Sequence, residues 1–203
     1  MNGELDVAEE LLTNCMPDLR ARPVLSYARL FSRAAMMLST IALFRFGPKD
    51  STALQAANKL IKEGLGRDPL WHYATYTRAQ IVGILEDHDR GKESFRNAYE
   101  NIQQSGELVT VREARSRVLL LMLTASCMKQ FSNKPAELLR ADKHLEEANS
   151  CLLNLPRRGD IQATVFSPPS KKNEPLDLIK DHIEQIAEGT PLAIKRVKAI
   201  GAG

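Results

Sequence analysis

Residues 57–64 read Ala-Asn-Lys-Leu-Ile-Lys-Glu-Gly, and they decide the fold predicted for this chain of 203 residues. A small residue, Ala57, is followed four positions later by bulky Ile61, and three positions after that by small Gly64. Because residues three and four apart share one face of an α-helix, the small side chains let a second helix approach while the large one fills the gap. The segment therefore predicts a helix that nests against a neighbour.

The same small, large, small pattern occurs three more times along the chain. The other copies are Ala8, Leu12 and Cys15; Gly91, Phe95 and Ala98; and Ala141, Leu145 and Ala148. Repetition of such faces is typical of stacked helical hairpins, which bind other proteins through an extended surface rather than through a preformed pocket.

Prolines and glycines divide the chain into helices, because they gather between the periodic segments. The predicted helices cover 4–16, 23–45, 51–65, 69–86, 90–104, 110–130, 135–154, 176–188 and 191–200. Three residue pairs have the composition of helix starts: Asp68 with Pro69, Thr110 with Glu113, and Thr190 with Pro191. The segment from Gly64 to Gly66 has the composition of a helix end. Only residues 161–166 are prone to form a strand.

The second helix carries an unusually wide apolar stripe. Its principal members are Leu30, Ala34, Met37, Ile41 and Phe44. A second row, which includes Phe31 and Ala35, broadens the stripe beyond half of the circumference. Such a helix is expected to be buried on two sides, as in the interior of a solenoid.

Composition excludes several classes of function. The 28 basic and 25 acidic residues give a net charge of +3, which is too mild to predict nucleic-acid binding. The longest uncharged apolar stretch, 34–44, is shorter than the roughly 20 residues that span a bilayer, and the N-terminus has no secretory signal pattern. Cys15, Cys127 and Cys151 form no CxxC pair and are expected to be reduced core residues of a cytoplasmic protein.

No catalytic constellation emerges from the sequence. It contains no GxSxG, HExxH or GxxxxGK[ST] motif, and its four histidines are dispersed. His88, between Asp87 and Asp89, could join a metal site, but a solvated loop that caps the next helix is the favoured interpretation. We therefore predict a non-enzymatic protein without catalytic, cofactor-binding or metal-binding residues.

The pattern resembles that of the tetratricopeptide-repeat family. Ala57, Ile61, Gly64 and Pro69 match the second helix of that repeat, and Gly91 follows Ala57 by 34 residues, which is the family's repeat length. The resemblance implies an all-α, right-handed α-solenoid of three to four antiparallel hairpins with a C-terminal capping helix. Other copies are about 50 residues apart, which also fits another array of α-hairpins.

The predicted domains follow from this resemblance and from composition. Residues 1–155 are the helical-repeat domain, and 156–175, rich in proline and charge, are a linker or exposed loop. Residues 176–203 supply capping helices and a frayed tail; the stripe of Leu176, Ile179, Ile183 and Ile186 either closes the solenoid or meets a partner.

In proteins that this chain resembles, the first helix of each hairpin lines a concave groove. Carried over, this implies that arginines of these helices project into the groove and bind carboxylates of an acidic peptide; they are Arg29, Arg33, Arg78 and Arg115. Trp71, Tyr73 and Tyr76 are candidate aromatic anchors. The alternatives are that the arginines form a solvated helix flank and that the aromatic rings belong to the core.

These observations predict an adaptor or scaffold for protein-protein interaction, with a peptide or helix of another protein as its partner. The alternative is a regulatory or structural subunit of a stable complex, assembled through apolar helix flanks and the C-terminal helix; self-association stays open. Small-molecule substrates, nucleic acid and a transmembrane segment are not expected.

Overall fold

The computed structural model describes residues 2–153, apart from 23, 70, 112 and 113, and residues 183–188, apart from 185. Every regular element in these residues is helical, which confirms the predicted all-α class. The helices are α1 (Asn2–Ala21), α2 (Leu25–Arg45), α3 (Ser51–Arg67), α4 (His72–Leu85), α5 (His88–Ser105), α6 (Glu107–Thr110), α7 (Ala114–Phe131) and α8 (Pro135–Leu153), with a 3₁₀ turn at Gly47–Lys49. Two compact units divide the chain, the first formed by residues 2–105 and the second by residues 106–153 and 183–188.

Adjacent helices pack as hairpins. In the first unit α2 pairs with α3 and α4 pairs with α5, while α1 lies against α2. The two hairpins meet through contacts of α4 with both α3 and α2. In the second unit α7 pairs with α8. Pairing of neighbouring helices is thus confirmed.

The α2–α3 hairpin closes around Gly64. A Cβ atom at Gly64 would lie 3.1 Å from the Cβ atom of Ala35 and 3.2 Å from the Cα atom of Ser32. Nearby, the buried Ser39 hydroxyl donates a hydrogen bond of 3.0 Å to the Ala57 carbonyl. Small residues on α3 therefore bring the two backbones close together, as the pattern predicts.

The other two hairpins also bury the small residues of their triplets. A Cβ atom at Gly91 on α5 would lie 3.2 Å from the Cα atom of Gly83 on α4. In the second unit Ala141, Leu145 and Ala148 are all buried. Three of the four predicted triplets therefore face another helix.

The first triplet is the exception, because the predicted burial of Cys15 is wrong. Cys15 is exposed, and α1 instead packs with Met16 and Leu12 against a cluster that contains Phe31. The buried side of α1 is therefore not lined by the small residues of the triplet, and this helix packs against α2 through larger side chains.

Ion pairs and cation–π contacts hold the C-terminal end of α1. Arg20 donates two hydrogen bonds of 2.9 Å to the Glu63 carboxylate on α3. Arg67 reaches the carbonyls of Leu19 and Arg20 at 3.4 Å, which satisfies groups that a helix end leaves unpaired. Both guanidinium groups lie over the Phe31 ring, at 4.0 Å for Arg67 and 5.5 Å for Arg20.

Several predicted helix ends are wrong by a few residues. Helix α1 continues through Pro17 to Ala21, since Pro17 and Thr13 are exposed and water can satisfy the Thr13 carbonyl, which the proline leaves without a donor. Gly64 and Gly66 do not end α3, which runs on to Arg67. Packing against α2 explains the small residue at Gly64 better than a cap does.

The predicted starts at Pro69 and Thr110 are also wrong. Asp68 and Pro69 lie in a connection, and α4 begins at His72 after Trp71. Thr110 ends the short helix α6. Its hydroxyl donates a hydrogen bond of 3.0 Å to the Gly106 carbonyl instead of capping the next helix. Threonine can bond a carbonyl four residues earlier, so the same side chain fits either role.

Part of the predicted C-terminal helix packs in the second unit. Ile183 and Ile186 are buried, and the Lys129 ammonium donates a hydrogen bond of 3.2 Å to the Ala187 carbonyl. The predicted linker, the β-prone stretch 161–166, the Thr190 helix start and the helix 191–200 lie outside the described residues.

Two glycines of α3 supply a matched test of close packing. Gly66→Ala should raise the free energy of unfolding by about 0.5 to 1 kcal/mol, because its Cβ meets nothing within 4 Å and alanine favours a helix. Gly64→Ala should lower it by roughly 1 kcal/mol or more, because the new methyl presses on the α2 backbone. Urea unfolding measures both values; equal effects of the two substitutions would contradict the close approach.

The Arg20–Glu63 pair makes stability depend on acid pH. The hydrogen bond from Arg20 lowers the pKa of Glu63 below its usual 4.5, so the folded state favours the carboxylate. This stabilisation is complete above pH 4.5 and is lost as the pH falls through the lowered pKa of the folded state.

Glu63→Gln should therefore cost up to about 1 kcal/mol of unfolding free energy at neutral pH, since the pair is partly exposed and screened. The difference from wild type should shrink as the pH falls below 4.5. Glu100→Gln, on the exposed face of α5, is the control and should show no such convergence. A Glu63→Gln deficit that stays constant down to acid pH would argue against the pair.

Candidate functional site

One face of α2 carries exposed side chains. Leu30 is 48% exposed and Met37 is 46% exposed, and Arg33, between them, is exposed as well. Spacings of three and four residues place these side chains on a single stripe. The prediction that the apolar stripe of α2 is buried on both sides is therefore wrong for Leu30 and Met37.

The opposite face of α2 explains why this stripe is exposed. Phe31 and Ala35 are fully buried against α1 and α3, and Leu43 packs with α3 and α4. Because these three helices hold α2 from the other sides, Leu30, Arg33 and Met37 are presented on a rigid element.

The exposed stripe extends to the beginning of α4. The Arg33 guanidinium lies 5.8 Å from the centre of the Trp71 ring, within the range of a cation–π contact. Trp71 is half-buried and makes an edge contact of 6.2 Å with Tyr73. We call Arg29, Leu30, Arg33, Met37 and Trp71 the α2 face.

Most arginines of the first unit have structural partners. Arg45 forms ion pairs with Asp6 and Glu9 and thereby ties α2 to α1. Arg22 donates a hydrogen bond of 2.6 Å to the Tyr27 hydroxyl. The arginines that bind Glu63 belong to the same class. These arginines therefore fasten helices together.

Arg29 and Arg33 are different. Both are exposed, and neither has an acidic partner within the part of the chain that the structure describes. The sequence from 19 to 49 contains no Asp or Glu, so α2 itself cannot neutralise them. The α2 face thus combines two unneutralised cations with apolar side chains.

The other predicted site residues lie in different surroundings. Tyr76 is 4% exposed and its ring packs 6.1 Å from that of Phe95, which is the core role left open by the sequence. Arg78 on α4 is half-buried, and its Nε atom is buried. Arg115 belongs to the second unit and its side chain lies outside the described residues.

The second unit also uses an arginine to join its helices. The Arg117 guanidinium on α7 donates a hydrogen bond of 2.9 Å from Nε to the Glu147 carboxylate on α8. It donates a second hydrogen bond, of 3.2 Å, to the Leu108 carbonyl. The bond to Glu147 raises the pKa of Arg117. Arg117 is therefore a structural residue.

Chemistry-bearing side chains do not converge in the described residues. Within residues 2–153 and 183–188, with their gaps, no group of three or more His, Cys, Asp or Glu side chains could hold a metal ion. His88 and its two aspartates were the alternative metal site considered from the sequence. There the Asp87 carboxylate accepts a hydrogen bond of 2.9 Å from the Arg90 amide, so Asp87 caps the start of α5. Burial raises the pKa of the Cys127 thiol, which makes it inert.

A depression of about 320 Å³ lies on the surface of α1 and is open to solvent. Side chains of this one helix line it: Asp6, Glu9, Glu10, Thr13 and Asn14. Because a single helix lines it and it is open to solvent, this depression does not enclose a ligand as a typical small-molecule pocket does. None of the described helices is both long enough and apolar enough to cross a membrane.

Sequence reasoning identified Arg29, Arg33 and Trp71 but assigned Leu30 and Met37 to the core. The available signal was the position of Arg33, which falls on the same helical stripe as both residues and is expensive to bury. An apolar stripe that contains an unpaired arginine indicates an exposed face.

Comparisons with protein-family models, with curated proteins and with solved structures gave no match to this chain. The resemblance to tetratricopeptide repeats therefore rests on the residues quoted above.

Proposed function

We propose that this protein is a non-enzymatic adaptor whose α2 face binds a peptide or helix of a partner protein. The observation that carries the proposal is the juxtaposition of exposed Leu30 and Met37 with the unneutralised Arg29 and Arg33. Exposed apolar side chains bordered by charge are typical of protein-binding surfaces.

The arrangement of helices supports a tetratricopeptide-like groove. Contacts between α2 and α4, the first helices of two successive hairpins, support a shared face formed by first helices. The Arg33–Trp71 contact joins these two helices at that face. In this proposal the groove begins at α2 and continues to the start of α4.

Each group of the α2 face has a distinct role in binding. Leu30 and Met37 bury apolar side chains of the partner and supply most of the affinity, and the adaptable Met37 tolerates several partner side chains. Arg29 and Arg33 bind carboxylates and orient the partner through planar, bidentate hydrogen bonds. The preferred partner is therefore acidic and apolar.

A pull-down with a matched charge control tests the proposal. Arg29→Glu with Arg33→Glu should abolish capture of the partners that the wild-type chain recovers from a lysate. Lys59→Glu with Lys62→Glu makes the same change of net charge on an exposed part of α3 and should leave capture intact. Equal capture by both variants and wild type would show that the arginines are only a solvated flank.

The single tryptophan gives an independent readout. Titration with an acidic amphipathic peptide should change the fluorescence of Trp71, because the partner displaces water and the Arg33 guanidinium from its ring. The change should weaken at high salt, since surface charge pairs are screened. A basic peptide of the same apolar pattern is the control, and an identical response to it would contradict the proposal.

A further inference from the structure

The exposed side of α1 carries acidic side chains, which the α2 face lacks. Val7 is 57% exposed and Leu11 is 61% exposed, and a spacing of four residues places them together on one stripe. Glu10 and Asp18 are exposed beside them, and neither has a basic partner among the described residues. We call Val7, Glu10, Leu11 and Asp18 the α1 face.

The two faces are complementary in charge and alike in apolar content. The α1 face carries unneutralised carboxylates, whereas the α2 face carries unneutralised guanidinium groups. Arg45, the cation of α2 that does meet α1 within the chain, is paired with Asp6 and Glu9. Glu10 and Asp18 take no part in these pairs and are exposed, so they stay available to another molecule.

We propose that the α2 face binds the α1 face of a second copy of this chain. This inference rests on the proposed function of the α2 face and names its partner. Leu11 of one copy packs between Leu30 and Met37 of the other, which lie about 10 Å apart along the helix at a rise of about 1.5 Å per residue. Glu10, next to Leu11, then meets Arg33.

The contact joins two different surfaces, so it is heterologous. Such contacts build rings when the rotation closes and open assemblies when it does not. One helix on one groove buries less surface than a permanent dimer, so association should be weak and should increase with protein concentration. Charge steering makes it sensitive to salt.

A charge exchange tests the contact with the full chain. Variant one carries Arg29→Glu and Arg33→Glu; variant two carries Glu10→Arg and Asp18→Arg. Each alone has two faces of like charge and should sediment as a monomer of about 22.6 kDa at concentrations where wild type is larger. Their mixture restores opposite charges across each contact and should associate again.

Circular dichroism provides the folding control, since all four positions are exposed and both variants should keep the wild-type helix content. The proposal is overturned if wild type stays monomeric at every concentration, if either variant associates like wild type, or if the mixture stays monomeric. A monomeric wild type whose lysate partners still depend on Arg29 and Arg33 would reject self-association and leave the adaptor function standing.

Discussion

The close approach of α2 and α3 is the constraint on which the first unit depends. Gly64 lies where any side chain would press on Ala35 and Ser32, and Ala57 leaves room for the Ser39 hydroxyl to reach a backbone carbonyl. Two helices that approach so closely fix the rotation of α2 about its own axis. That rotation turns Phe31 and Ala35 inward and leaves Leu30, Arg33 and Met37 outside.

The exposed face therefore follows from packing elsewhere. Once α3 holds one side of α2, α1 takes the Phe31 side and α4 takes the Leu43 side. The charged residues divide according to the same geometry. Arginines near the helix crossings, such as Arg20, Arg45 and Arg67, pair with acids or carbonyls, whereas Arg29 and Arg33 have no acidic partner among the described residues. Position on the helix, rather than residue type, separates structural from available cations.

Much of this fold could be predicted from the sequence because its signals are local. The triplets at Ala57, Gly91 and Ala141 are read from residues three and four apart, which a helix must bring together whatever its surroundings. Helix ends were harder. Thr110 and Asp68 can serve as caps in more than one position, and the choice depends on the path of the chain through the connection.

The candidate site was predicted only in part, since exposure is a property of tertiary structure. Tyr76 and Trp71 lie five residues apart and look equivalent in the sequence, yet one packs on Phe95 and the other meets Arg33. Likewise Leu30 and Phe31 are neighbours of similar hydrophobicity, and only the position of α1 and α3 decides which one is buried.

Nuclear magnetic resonance of the isotope-labelled chain tests the central claim most directly. The α-protons of Gly64 should give strong nuclear Overhauser cross-peaks to the methyl group of Ala35, and those of Gly66 should give no cross-peak to α2. Absence of the Gly64–Ala35 cross-peak, or an equal one from Gly66, would show that α2 and α3 do not nest through their small residues.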